Sequence, residues 1–197
     1  MKKPAVGGPK SKRSLQSAVR SRKHNAKPAS RVRPNVESAE FSAGPRTPDL
    51  GPRILIVGYG NPLRRDDALG WHASRLLAEA LVGKDVEVIT CHQLTPELAE
   101  PLSRCQRAVF IDADAEGKPG EIHCRTLRPS PVSSAFTHTC TPSGLLASAK
   151  QLYCRRPQAI VVTVTAQTFD FGDTLSPLVS AALPKVVDLV CRWVGQN

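Results

Sequence analysis

The chain of 197 residues carries a formal net charge of +10, six cysteines and 41% hydrophobic residues. Residues 1–50 hold twelve Lys/Arg against three Asp/Glu, a balance of +9, and the remainder stands at +1. This sets aside a uniformly basic nucleic-acid binder; the lack of any CxxC pair sets aside a disulfide scaffold, and the lack of a long apolar run a membrane-spanning chain.

From Met1 to about Pro52 the chain is rich in Lys, Arg, Ser, Pro, Ala and Gly, with Phe41 as its only aromatic residue. It has no apolar periodicity to offset the entropy of ordering, and residues 1–51 are expected to be a disordered basic extension. The beginning of the chain lacks the apolar core of a secretory signal, and a reducing, cytoplasmic setting is expected. A docking arm for nucleic acid or a protein partner is one reading of the extension, and a solvated tail is the other. No aromatic side chains interleave the basic ones to offer stacking platforms, so nucleic acid is not expected as a partner.

Residues 52–197 are expected to fold as one domain. The run Ile54-Leu55-Ile56-Val57 within Arg53–Tyr59 has the character of a strand buried on both faces. A glycine turn, Gly58-Tyr59-Gly60-Asn61, follows, and then the adjacent acids Asp66 and Asp67. The spacing of Leu69, Ala73, Leu76, Leu77, Ala80 and Leu81 predicts a helix over 66–82. Residues 85–90 read as a short strand, and Thr95-Pro96 as the cap and first position of a helix that kinks or ends near Pro101. Residues 108–112 predict a strand ending in Asp112, and 121–127 an edge strand. After a Ser/Thr/Pro-rich loop containing His138, Thr141-Pro142 opens a helix whose inner face is Leu145, Leu146, Ala149, Leu152 and Tyr153. Residues 159–165 predict a further strand. Ser176-Pro177 begins a last helix with Val179, Leu183, Val186, Val190 and Trp193 on one side and a kink at Pro184. The order βαβαββαβα implies an α/β three-layer sandwich: a mostly parallel, twisted sheet of about five strands with helices on both faces.

In such a sheet, residues beyond the carboxyl ends of the strands share one rim. Asp67, Asp112 and His138 all belong there, and two carboxylates with an imidazole suit a divalent transition metal. Equally, two close carboxylates can divide into acid and base, because like charges push their pKa values apart. Each residue has a plainer alternative: Asp66 or Asp67 as a helix cap, Asp112 as a turn residue, His138 as a surface group. His72 falls on another side of the helix from Asp67, and His92 carries only a weak signal. Leu63 stands where a dinucleotide fingerprint needs its third glycine, and no GxSxG elbow or cysteine-nucleophile signature occurs.

The stretch GYGNPLRRDDALG resembles the opening motif of the nickel–iron hydrogenase maturation endopeptidases. The resemblance continues, in family order, through HQLTPELAEPL, VFIDAD with its following KPGE, HTCTPSGLLASAKQLY and TFDFGDTLSP. It covers Arg53 to the C-terminus and has no counterpart in the extension. It implies a peptidase that removes a short C-terminal peptide from the hydrogenase large-subunit precursor after nickel insertion, the nickel being part of what is recognised. Asp67, Asp112 and His138 fall on the family's metal-binding positions, with Asp67 and Asp112 as the catalytic candidates. Asp114 is a rival for Asp112. The family often has glycine where Arg65 and Ala68 stand, and Cys140 is taken as a bystander. The expected partner is the precursor, with no membrane, and the protein is expected to be a monomer. The alternative function is a non-enzymatic α/β metal- or protein-binding module with a basic docking tail.

Overall fold

A computed structural model describes residues 53–130 and 140–196 of the chain. The basic extension, the loop containing His138 and the final residue lie outside the described residues.

Five strands form one sheet: β1 Ile54–Tyr59, β2 Val86–Cys91, β3 Arg107–Asp114, β4 Ile122–Leu127 and β5 Gln158–Thr165, in the order β2-β1-β3-β5-β4. The pairs β1–β2, β1–β3 and β3–β5 are parallel, and β4 pairs antiparallel with β5 at one edge. Among the described residues four helices accompany them: α1 Leu69–Ala80, α2 Ala99–Arg104, α3 Pro142–Tyr153 and α4 Pro177–Gly195. The three-layer α/β sandwich expected from the sequence is the observed architecture.

The period of two along a strand explains the layers. Ile54 and Ile56 pack with Leu69, Ala73 and Leu77 of α1 and with Val179, Val186 and Val190 of α4. Leu55 and Val57 point the other way, to Leu102 of α2 and Leu145, Leu146 and Ala149 of α3. Successive side chains thus serve opposite cores, and each fully buried aliphatic group contributes about 1.5–3 kcal/mol.

Several local expectations are corrected. The stretch before α1 is a separate 3-10 turn over Arg65–Ala68, and the helix proper starts at Leu69. Thr95 precedes a 3-10 turn, Pro96–Leu98, without a side-chain capping bond to its backbone. Pro101 does not end α2: it is the third residue of that helix, in the first turn, where backbone N–H groups have no intrahelical partner to lose. Thr141 does cap α3, its Oγ1 accepting the Gly144 N–H at 3.1 Å. The inner face of α3 is shorter than expected, since Leu152 is 68% exposed and Tyr153 38% exposed. At about 1.5 Å per residue, α2 is roughly half as long as α3, whose last turn is exposed. That turn closes on Cys154 in the left-handed conformation (φ 55°), with Cys154 N–H bonding Lys150 O and Arg155 N–H bonding Ala149 O.

β3 also runs two residues past its expected end. Asp112, Ala113 and Asp114 pair with Thr163, Val164 and Thr165 of β5, while the ladder with β1 stops at Gly58–Ile111. Asp112 is therefore the first residue of β3 beyond its β1 partner, which places it on the rim although its strand continues.

Candidate functional site

The chain leaves β1 toward β2 on one side and leaves β3 toward β4 and β5 on the other. The carboxyl ends of β1 and β3 thus form the topological switch point, where open α/β sheets gather their ligands.

Glycines allow α1 to close on this point. A methyl group at Gly58 would overlap the Gly70 carbonyl and Ser74 Oγ, and one at Gly70 would overlap the Tyr59 backbone. Gly60, at φ 130°, has Asp67 directly behind it, and a Cβ there would collide with the Asp67 carbonyl. The same turn then holds the acid: the Asn61 N–H donates to Asp67 Oδ2 at 3.0 Å. Asn61 Oδ1 accepts the Leu63 N–H at 3.0 Å, and Trp71 Nε1 donates to Gly60 O at 2.9 Å, so both sides of the turn are tied. Asp67 is half-buried.

Asp66 has a different role from the helix cap expected of it. Its carboxylate caps neither the 3-10 turn nor α1. It is fully buried and accepts three backbone N–H groups from the segment between β5 and α4: Gln167 at 2.8 Å, Thr168 at 3.0 Å and Ser176 at 2.7 Å. The two loops are further joined by a bridge between Arg64 and Gly172, with Arg64 Nε donating to Phe169 O at 3.0 Å. Arg65, the neighbour of the acids, sits at φ 41° with its side chain packed over Gly172. That left-handed angle is one for which glycine is suited.

Asp112, on the rim of β3, lies within range of the Asp67 charge. Its carboxyl is pushed up to about 6, mainly by burial, with the charges of Asp67 and Asp114 adding to the rise. The Tyr59 hydroxyl and the Ala113 N–H, the latter at 2.9 Å, act in the opposite sense by donating to it. Burial first, and then the Asp112 charge, raise the Tyr59 phenol beyond its ordinary range, so it stays a neutral donor. Tyr59 is the site residue that sequence reasoning missed; its place two residues after Val57, on the same face as Asp112's side of the sheet, was the available signal.

The structure therefore brings Asp67 and Asp112 together, with Asp114 as an outer neighbour. His138 lies outside the described residues. Among the described residues no group of three His, Cys, Asp or Glu side chains is gathered to hold a metal ion. His92 is exposed and packs edge-on against Trp71, with ring centres 5.2 Å apart, and Cys140 packs against the core beneath α3.

Fold and rim together define an α/β sandwich with a paired-carboxylate site at its switch point. Solved structures with this architecture include the hydrogenase 2 maturation peptidase of Thaumarchaeota archaeon SCGC_AB-539-E09, at 24% identity and TM-score 0.56, over 74% of this chain and 99% of that one. The [NiFe] hydrogenase maturation protease HybD from Thermococcus kodakarensis is similar at 26% identity and TM-score 0.54, over 72% and 99% of the two chains. HycI from Thermococcus kodakarensis KOD1, also a [NiFe] hydrogenase maturation protease, matches at 20% identity and TM-score 0.60, over 74% and 94%. No family model and no curated protein matches the chain. The chain is thus a structural relative of hydrogenase maturation peptidases, spanning nearly their whole length.

Proposed function

We propose that this protein is an endopeptidase that removes the C-terminal extension of a nickel–iron hydrogenase large-subunit precursor after nickel insertion. The observation that carries the reading is the convergence of Asp67 and Asp112 at the switch point of a fold shared with maturation peptidases. Nickel enters as part of the substrate. Asp67, Asp112 and His138 contact it there, and the precursor's own thiolates complete its shell.

Gripping the metal converts recognition into positioning, because it fixes the scissile bond over the rim. Asp67, held by the Asn61 N–H, and Asp112, which accepts from the Tyr59 hydroxyl and the Ala113 N–H and is raised by burial, offer carboxylates of different character for handling the protons of an attacking water. The nickel supplies Lewis-acid character when the precursor is bound. The work takes place in a cytoplasmic setting, with the precursor as partner and the basic extension outside the reaction.

The test is direct. Nickel-loaded precursor mixed with the full-length protein is expected to lose the mass of its extension, and metal-free precursor is not. Asp67→Ala and His138→Ala should abolish the mass change while leaving the thermal melt in place. Full cleavage by either variant would remove that residue from the site.

A further inference from the structure

One groove among those the described residues line reaches the rim. It holds about 540 Å³ and runs between α1 and β2, past Leu63, Trp71, Arg75, Ala78, Val88 and Thr90. Others lie at the opposite end of the sheet, around Lys84 and Val194, or between α1 and α4, around Leu76 and Val187.

We propose that this groove receives the precursor's C-terminal extension as an added strand on the outer edge of β2, with its terminal carboxylate paired to Arg75. The inference rests on the peptidase reading above and names the surface that handles the leaving peptide. Continuity is the first argument. The groove opens at Pro62 and Leu63, directly after Asn61, whose N–H holds Asp67. The groove mouth thus adjoins the acid that the peptidase reading places beneath the scissile bond.

The edge itself is the second argument. β2 pairs only with β1 among the described residues, so its outer backbone groups are open to an extended peptide. Main-chain pairing at such an edge gives affinity, and pockets for alternate side chains give specificity. Leu63 is 63% exposed at the mouth, and Trp71 and Val88 continue the apolar floor. Ser74 also lines the groove, with its hydroxyl buried and without a hydrogen-bond partner.

Charge is the third argument. Arg75 is exposed on the groove, which His72 and Asp173 also line, and makes no ion pair among the described residues, where the ion pairs are Arg104–Glu100 and His123–Glu121. A C-terminal extension necessarily ends in a carboxylate, the group that an arginine fork binds in a bidentate manner.

The experiment uses the full-length protein and nickel-loaded precursor, with cleavage followed by mass. Ala78→Trp fills the groove from an exposed helix position, and Arg75→Glu reverses its charge. Each is expected to raise KM at least tenfold with kcat within twofold of the parent and an unchanged thermal melt. For Arg75→Glu the rise should largely disappear when the precursor's extension ends in an amide. Hydrogen exchange of the β2 amides, residues 86–91, should slow when Asp67→Ala protein is mixed with precursor. Parent cleavage with unchanged KM in both variants overturns the groove and leaves the peptidase reading standing. Absence of cleavage by the parent overturns that reading, and the groove's occupant with it. Should Ala78→Trp fail to fold, Arg75→Glu with the two precursor ends decides.

Discussion

Asp66 Oδ1 accepts a 2.7 Å hydrogen bond from the backbone N–H of Ser176, 110 residues further along the chain. With Gln167 and Thr168 on its other oxygen, this buried carboxylate fixes one loop of the rim upon another. Removing it leaves three backbone donors without an acceptor. Asp66→Ala is expected to cost on the order of 3–5 kcal/mol, and Asp66→Asn less, because the amide keeps one acceptor oxygen. Urea melts of the two variants beside the parent measure this; equal stability of all three would contradict the anchor.

Gly58 and Gly70 bring the backbones of β1 and α1 together where the acids are presented. Neither position has space for a methyl group, and the atoms in the way at Gly70 are backbone. Gly70→Ala is expected to destabilise the fold by about 1–3 kcal/mol or more and to displace Asp67 as α1 moves outward. Alanine at Gly83, which meets no atom within 4 Å but sits at φ 78°, tests conformational strain alone and should cost only about 1 kcal/mol. Thermal denaturation of the pair separates the two effects.

The half-buried Asp112 makes stability depend on pH. Its folded value of about 6 lies above the ordinary 3.8, so the native state holds a proton that the unfolded chain releases. The sign follows: the penalty is absent below pH 3.8, grows as pH rises from there through about 6, and is complete above it. Its size is about 3 kcal/mol. Asp112→Asn removes the titration, so its stability relative to the parent should improve from pH 4 to about pH 6 and level off by pH 8. Denaturant melts at pH 4, 6 and 8 give the trend, and a difference that stays flat would contradict it.

Among the described residues, two other than glycine occupy the left-handed region, Arg65 at φ 41° and Cys154 at φ 55°. Cys154 is exposed and closes α3, the position where glycine is the usual choice. Cys154→Gly is expected to stabilise the protein by about 0.5–1 kcal/mol, seen as a rise in Tm. Arg65→Gly should gain less, because the arginine side chain packs over Gly172 and that contact is lost.

The sheet was legible because a strand between two helical layers must be apolar on both faces, and Ile54–Val57 and Val161–Val162 are. Asp67 and Asp112 could be paired from sequence because strand order alone sends them to one rim. Asp66 could not be read, since its partners are backbone N–H groups, which every residue but proline carries, more than 100 positions away. The end of β3 was misplaced for a related reason: β5 continues the ladder past the point where β1 stops, and register between strands has no local signal. Leu152 and Tyr153 keep helical spacing with the inner face of α3, but spacing is silent on whether a facing helix reaches that far. His138 lies outside the described residues, and its place beside the two acids rests on the family resemblance.

The long separation between Asp66 and its partners also sets an order of assembly. During synthesis at about 5–20 residues per second, Ser176 leaves the ribosome roughly 5–20 s after Asp66. Bringing such distant segments together carries a loop-closure cost that local contacts do not. The N-terminal βαβαβ half can pair its strands in that interval, while Asp66 still depends on water for its hydrogen bonds. The tie between the two rim loops therefore forms late, and a nascent chain stopped before Gln167 carries both acids without the backbone donors that hold Asp66.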